Sequence, residues 1–325
     1  VGTVLSTTFL EILSQLNHVS YTDGTTIGNA LGITRAAVWK AIQKLQSEYH
    51  IEIESHRSHG YRLVDPLIML DQQFISGAIN HKDVLVECFP SINSTNTYLQ
   101  NASLKFSYHI CIAEQQTRGK GRFNRVWVSP FAENLYYSLK VNLNKELSEL
   151  SGLSLAVAVG VTKALVQSFT ELNPKIKWPN DIYVNGKKMA GILIEVKAES
   201  NAQSQIVIGV GINVNMRKND TVTQAWSSLA TELKTYINRN TLAITLSNEL
   251  ITTLKAFEKE GFAYFMDDYH HYDYLKGKSI SLSILNKEVV SGVWNGVNEL
   301  GQLKLKIGEN EQRVFASGEA TIIKR

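Results

Sequence analysis

Cysteine is nearly absent from this sequence: only Cys88 and Cys111 occur in 325 residues, far apart and without Cys or His partners at metal-ligand spacing. That excludes a disulfide framework and a zinc site, and makes a reducing cytoplasm the natural setting. Nor is one charge in excess. A formal net charge of +3 is too small to announce a nucleic-acid partner, so a DNA site has to be argued from local clusters of Lys and Arg. No membrane span is expected. The most apolar long stretch, Leu153 to Phe169, is interrupted by Ser154, Gly160, Thr162, Lys163, Gln167 and Ser168, the patterning of an amphipathic helix. The start, Val1-Gly2-Thr3-Val4, has no basic segment ahead of an apolar run and does not read as a secretion signal. Repeats and low-complexity runs are missing too. What remains, 44% apolar and 19% charged, is an ordinary globular composition over a length with room for two or three domains.

Residues 1–65 read as a small α-rich unit with a hairpin. Phe9, Leu10, Leu13 and Leu16 lie at helical spacing, Thr25–Leu31 forms a short second helix, and Gly32-Ile33 turns the chain. Thr34 can cap a third helix whose buried stripe is Val38, Ile42 and Leu45. Ile51–Ile53 and Tyr61–Leu63 are strand candidates flanking Arg57-Ser58-His59-Gly60. Three helices and a hairpin make a winged helix-turn-helix. The unit holds six acids, yet its five cations, Arg35, Lys40, Lys44, Arg57 and Arg62, all fall in the third helix or the wing. A basic helix face can be merely solvated. Joined to the turn and wing, this sorting predicts DNA binding through Arg35, Ala36, Trp39, Lys40, Lys44, Arg57 and Arg62.

Asp65-Pro66 marks a boundary, because proline restrains the residue before it. A mixed α/β region follows over 66–275, with strands at Ile110–Ala113, Leu135–Val141, Ile192–Val196 and Ile206–Val210 and helices at Leu155–Leu172 and Leu242–Phe257. Over 276–325 the period becomes two: Ile280, Leu282 and Ile284 alternate, as do Leu303, Leu305 and Ile307, with turns at Asn295-Gly296 and Leu300-Gly301. A small terminal β-barrel is expected there.

Three segments carry chemistry. Gln116-Thr117-Arg118-Gly119-Lys120-Gly121-Arg122-Phe123-Asn124-Arg125-Val126-Trp127 interleaves glycines with cations, so its backbone and guanidinium groups can approach a polyanion closely. It matches neither the dinucleotide fingerprint nor the Walker loop, and a flexible turn would have the same composition. Lys177-Trp178-Pro179-Asn180-Asp181 packs polar groups into one rigid turn, ahead of Gly186-Lys187-Lys188-Met189-Ala190-Gly191. The bland alternative is a structural turn with a solvated lysine pair, and for Lys187 it is the better reading. Glycines in the apolar run Ile208-Gly209-Val210-Gly211-Ile212-Asn213 point to a close approach by ligand or backbone, or else to a β-bulge.

Taken together and in this order, Ser94-Thr95-Asn96, the 116–127 loop, Lys177–Asp181, Lys188–Gly191 and Gly209–Asn213 resemble the motifs of the bifunctional biotin protein ligase and biotin operon repressor family. Thr34-Arg35-Ala36-Ala37 and the Gly60-Tyr61 wing resemble its repressor domain, and Gly318-Glu319 its terminal barrel. The resemblance implies an α+β protein: a winged helix, a class II synthetase-like ligase domain of mixed α/β structure, and an SH3-like barrel. It implies formation of biotinyl-5′-AMP from biotin and ATP, with Mg2+ at the departing pyrophosphate. Transfer of biotin to a lysine of the biotin carboxyl carrier protein follows, and adenylate-dependent repression as a homodimer on operator DNA. Lys188, Arg122 and Asp181 would be catalytic. Ser94, Thr95, Gln116, Gly119, Lys120, Arg122 and Lys188 would bind biotin. Arg122, Arg125, Trp127, Asn180, Lys188, Asn213 and Trp226 would bind the adenylate. Lys120, Phe123 and Asn124 depart from the arginines and glycine that some members carry in the loop. Metal ligands are not indicated. A lipoate ligase and a catalytically dead sensor are the rivals; the Gly-Lys-Gly-Arg loop and winged helix argue against the first, and the presence of Lys188, Arg122 and Asp181 against the second.

Overall fold

The computed structural model describes residues 7–198, 203–284, 288–309 and 311–323, so the start at Val1–Val4 lies outside the described residues. Helices α1 (Thr7–Ser14), α2 (Gly24–Leu31) and α3 (Arg35–Tyr49) precede the hairpin of β1 (Ile53–His56) and β2 (Gly60–Leu63). Asp23 caps α2 through the backbone N–H groups of Thr25 and Thr26, and Thr34 caps α3 by accepting from the Ala37 N–H at 3.1 Å. Such caps satisfy donors that would otherwise be orphaned, about 1 kcal/mol each. Val38, Ile42 and Leu45 are fully buried, as the spacing predicts. The first helix ends at Ser14, so Leu16 packs from the turn beyond it, and the first strand starts at Ile53 rather than at Ile51. At Gly60 (φ +96°) a Cβ would stand 2.1 Å from the Thr22 carbonyl oxygen, so only glycine closes the wing against α2's approach.

The central sheet has the order β3-β4-β5-β9-β8-β7-β6, built from Val84–Phe89, Tyr108–Ala113, Leu135–Leu143, Ser204–Ile212, Lys187–Ala198, Asp181–Val184 and Lys175–Lys177. Only the β3–β4 pair is parallel. Alternation sorts its two faces. Ile110, Ile112, Ile206 and Ile208 join the main core, while Cys111 and Val207 pack with Leu99 of α5 (Thr95–Asn101) on the other side. The helices α6 (Leu153–Ser168) and α8 (Arg239–Glu260) belong to the main core, with α4 (Gln72–Ala78), α7 (Leu229–Leu233) and α9 (Met266–Tyr272) around them. Helix α6 is not amphipathic as expected. Its Leu153, Leu155–Thr162, Ala164 and Leu165 are all buried, because small residues let α8 approach closely: a Cβ on Gly160 would meet Thr253 Oγ1 at 2.5 Å.

A five-stranded antiparallel sheet closes the chain, in the order β13-β12-β11-β10-β14, from Gln312–Phe315, Leu303–Lys306, Glu288–Val297, Ser279–Ile284 and Glu319–Ile322. Ile280, Leu282, Leu303 and Leu305 point inward as their alternation requires. Asn295-Gly296 is not a turn: it sits inside β11 where the register against β12 shifts, a bulge. The Trp178 indole N–H donates to the Gly301 carbonyl at 3.1 Å and ties this sheet to the turn before β7.

Candidate functional site

The α5 face of the sheet carries a cleft. Residues 207, 209 and 211 share that face, and Gly191 and Leu193 pair opposite Gly211 and Gly209 on β8. The glycines hollow it out for neighbouring side chains. A Cβ on Gly209 would lie 2.3 Å from Asn96 Oδ1, and one on Gly211 2.4 Å from the Trp127 ring. The register through both glycines is regular, so the close-approach reading holds and the bulge does not. Above them the buried start of α5 forms a polar floor. The Thr95 N–H and hydroxyl both donate to Gln116 Oε1, at 2.9 and 3.1 Å. Ser138 Oγ lies 2.7 Å from Thr95 Oγ1 and 2.6 Å from Asn96 Oδ1, and the Asn96 amide donates to Glu195 at 2.8 Å. Gln116 Nε2 donates to Ser129 Oγ at 3.2 Å. The cleft has only about 50 Å3 of free space, with Trp127 and Lys188 in its wall.

Beyond Trp127 a wider basin of about 700 Å3 is lined by Arg122, Arg125, Asn180, Asp181, Lys188, Asn213, Trp226 and Glu319. The β7–β8 hairpin sets its centre: Asp181 opens one strand, Lys188 lies near the start of the next, and Lys188 Nζ pairs with Asp181 Oδ1 at 2.8 Å. Lys188 also stands 5.4 Å from the centroid of the Trp127 ring. One lysine therefore faces both spaces. Arg122 donates to Asn180 Oδ1 at 3.2 Å, while Asn180 Nδ2 donates to the Ile192 carbonyl at 2.7 Å. Burial draws the Arg122 guanidinium below its ordinary range, Asp181 and Glu319 oppose the shift, and the group remains a cation at neutral pH. The loop tip is strained, with Phe123 at φ +56° and Asn124 at φ +58°, and Arg122 stacks 4.9 Å from the Phe123 ring centroid. Arg125 reaches out of the loop to Glu319 at 2.5 Å, tying it to the terminal sheet.

Residues 88–213 match the Biotin/lipoate A/B protein ligase family, and residues 9–62 match the HTH domain family. The bifunctional ligase/repressor BirA of Escherichia coli (strain K12) is 35% identical over 301 residues, 91% of this chain and 92% of that protein. The chain belongs to the BirA family. Its Salmonella typhimurium relative of the same name is 34% identical over 91% of this chain and 92% of its own length. A solved structure, a biotin protein ligase from Aquifex aeolicus in complex with biotin and ATP, shares the fold with a TM-score of 0.63 at 24% identity, covering 74% of this chain and 99% of that one.

Within this BirA-family site, Ser94, Thr95, Gln116, Lys120 and Lys188 line the cleft, and Arg122, Arg125, Trp127, Asn180, Asp181, Asn213 and Trp226 line the basin. Gly119 lies within the loop and lines neither space: its carbonyl accepts from the Trp127 N–H at 3.0 Å. Asn180 uses both ends of its amide within the protein, and the Asn213 NH2 donates to the Ser227 carbonyl at 3.1 Å, so both amides are structural in this state. Three participants escaped residue-by-residue reading. Ser138 and Glu195 fix Asn96, and Ser129 fixes Gln116; none is given a role by the sequence, and while Ser138 and Glu195 are brought there on β5 and β8, Ser129 reaches Gln116 from the segment ahead of β5. On the winged helix, Arg35, Ala36, Trp39, Lys40 and Arg57 are exposed. Lys44 pairs with Glu48 at 3.5 Å, and Arg62 pairs with Glu54 at 2.5 Å while lying over the Tyr21 ring. No helix among the described residues is long and apolar enough to cross a membrane.

Proposed function

We propose that this protein activates biotin as biotinyl-5′-AMP, transfers it to a lysine of the biotin carboxyl carrier protein, and represses transcription when it holds the adenylate. The observation that carries the reading is one cation, Lys188, in the shared wall of a small polar-floored cleft and a larger basic basin. Biotin suits the cleft, whose donors and acceptors on Ser94, Thr95 and Gln116 match a ureido ring. ATP suits the basin. A carboxylate oxygen then attacks the α-phosphorus, a new P–O bond forms, and pyrophosphate leaves with the electron pair of the broken bond. Two anions must meet for this, and Lys188 and Arg122 offset their repulsion. Asp181 compensates Lys188 until they arrive. In the second step the carrier amine attacks the acyl carbon, AMP leaves, and Asp181 is placed to orient the amine or take its proton.

With so little free space in the cleft, the loop carrying Trp127 has to shift for a bicyclic ligand to enter. Arg125 and Trp226 then border the nucleotide. The chemistry calls for Mg2+ beside the pyrophosphate. Among the described residues no three His, Cys, Asp or Glu side chains stand together to hold a metal, and the basin's acids Asp181 and Glu319 are paired with Lys188 and Arg125. The described residues therefore do not fit a resident ion. We divide the labour among a DNA-binding unit (1–65), a ligase unit (66–275) and a terminal unit (276–325), in a cytoplasmic protein that dimerises on operator DNA when the adenylate is bound. Labelled biotin, ATP and a carrier domain test the reading: label on the carrier lysine is expected, and labelling by lipoate in place of biotin would overturn it.

A further inference from the structure

Besides the Asp65–Arg217 ion pair at 3.8 Å, the winged helix meets the rest of the molecule at two places of unlike character. One is the segment leading out of it, fixed to α8: the Arg239 guanidinium, fully buried against Glu114 at 2.5 Å, also donates to the Ile68 carbonyl at 2.8 Å. Asn240 holds Met69 and Asp71 on either side. The other is an intrusion. Phe131 and Ala132, which lie beyond the 116–127 loop, are buried in the core of the winged helix and not in the main core. The Phe131 ring meets Tyr49, the last residue of α3, edge-on at 5.8 Å between centroids. Two residues earlier, Ser129 accepts the Gln116 amide of the ligand cleft at 3.2 Å and donates to the Trp127 carbonyl at 2.9 Å.

We propose that Ser129 and Phe131 are positioning residues that couple the ligand cleft to the DNA-reading helix, one end of a short stiff segment sensing Gln116 and Trp127 and the other seated against Tyr49. Residues 127–132 span at most about 20 Å when extended. The segment contains Pro130, whose carbonyl accepts from the Tyr136 hydroxyl at 2.7 Å, and no glycine, so a shift at Trp127 is not absorbed along it. Ala132 closes it in the left-handed region (φ +59°) although 98% of its surface is buried, a strained state that a repositioned neighbour can relieve. With the exit segment clamped on α8, a push at Phe131 turns the winged helix about that clamp. The coupling rests on the proposed function, because it needs a ligand at Gln116 and DNA at α3.

The test measures operator binding by the full chain with and without biotinyl-adenylate, and adenylate dissociation with and without operator, for the unaltered protein, Phe131→Leu and Ser129→Ala. Leucine keeps an apolar filling in the winged-helix core, and Ser129→Ala cuts the link at the end away from that core. In the unaltered protein the ligand is expected to tighten operator binding within the roughly 5–150-fold range of allosteric couplings. In both variants, compared at matched adenylate saturation, that factor is expected to fall to the part that self-association alone supplies, reciprocally in the dissociation rates, with the self-association constant of the adenylate-bound protein in sedimentation unchanged. A full ligand effect in both variants would overturn the coupling while leaving the ligase and repressor reading intact. Loss of self-association alongside the ligand effect would also overturn it, by placing the defect between subunits. No ligand effect in the unaltered protein would remove the repressor reading, and the coupling with it.

Discussion

The 117–127 loop and the 64–71 segment both run outside regular structure beside the ligase core, and they are held in opposite ways. The loop hangs on a few backbone bonds and on the side-chain ties of Arg122 to Asn180 and of Arg125 to Glu319, none of them fully buried, and exposes Phe123 and Val126, 57% and 80% accessible, to solvent. The 64–71 segment is gripped by the buried Arg239–Glu114 pair, by Asn240, and by Tyr236, whose hydroxyl accepts from the Ile68 N–H at 2.9 Å. A buried ion pair stabilises little against an apolar substitute but is costly to break, so it serves to fix a geometry. Loosely held backbone is what a ligand can reorder. On the proposed function, chemistry and signalling belong to the first connector and architecture to the second.

The largest effect expected is at the clamp. Arg239→Met leaves Glu114 buried without a counter-charge and should lower unfolding stability in urea by about 3–5 kcal/mol. Glu133, beside the Phe131 intrusion, should give the next. Burial, with Glu52 of the winged helix adding to it and Arg239 opposing, pushes its carboxyl up to about 7. Below about pH 4.5, its ordinary value, both folded and unfolded chains hold the proton and the group contributes nothing. As pH rises the unfolded chain ionises first, so folding is penalised increasingly until about pH 7 and fully above it. Glu133→Gln should therefore stabilise the protein at pH 8 by up to about 3 kcal/mol and have no effect near pH 4, read by denaturant titration at both pH values.

The loop should behave otherwise. Arg122→Gly is expected to change unfolding stability by no more than about 0.5 kcal/mol, yet to release its adenylate, which would label lysines on a bystander such as albumin. A stability loss matching that of Arg239→Met would erase the contrast between the connectors. The smallest effect concerns DNA. Arg35, Lys40 and Arg57 are the exposed cations of the winged helix, six in a dimer, so the log–log salt slope of operator binding should lie near about −5. A slope near about −9 would mean that DNA also opens the Lys44–Glu48 and Arg62–Glu54 pairs.

Much of this was legible because the deciding interactions are local. Thr34 caps its own helix, the buried stripe of α3 follows its 3.6-residue period, and the glycines of β9 announce a close approach. The second and third chemical segments meet because β7, β8 and β9 are sheet neighbours, and the 116–127 loop joins them where Trp127 lies against Gly191 and Gly211. What escaped depends on partners distant in sequence. Arg239 lies in no sequence motif and outside the helix expected from Leu242, and its partner Glu114 stands 125 positions earlier. Phe131 carries no sign that its core lies in the other unit. Asn295-Gly296 has turn chemistry, but β12 continues to pair on both sides of it, so the same two residues make a bulge. Short α5 has too few residues for a period to show, although its Ser94-Thr95-Asn96 start belongs to the motif pattern.

We propose that Lys188, placed between cleft and basin, is the cation that lets the two anions react. Pyrophosphate release under single-turnover conditions with biotin and ATP, compared between the unaltered protein and Lys188→Ala, tests it most directly. A fall of about 10²–10³-fold in that rate is expected, the cost of losing one transition-state charge partner, with biotin binding largely kept. Near-normal pyrophosphate release by Lys188→Ala would contradict it.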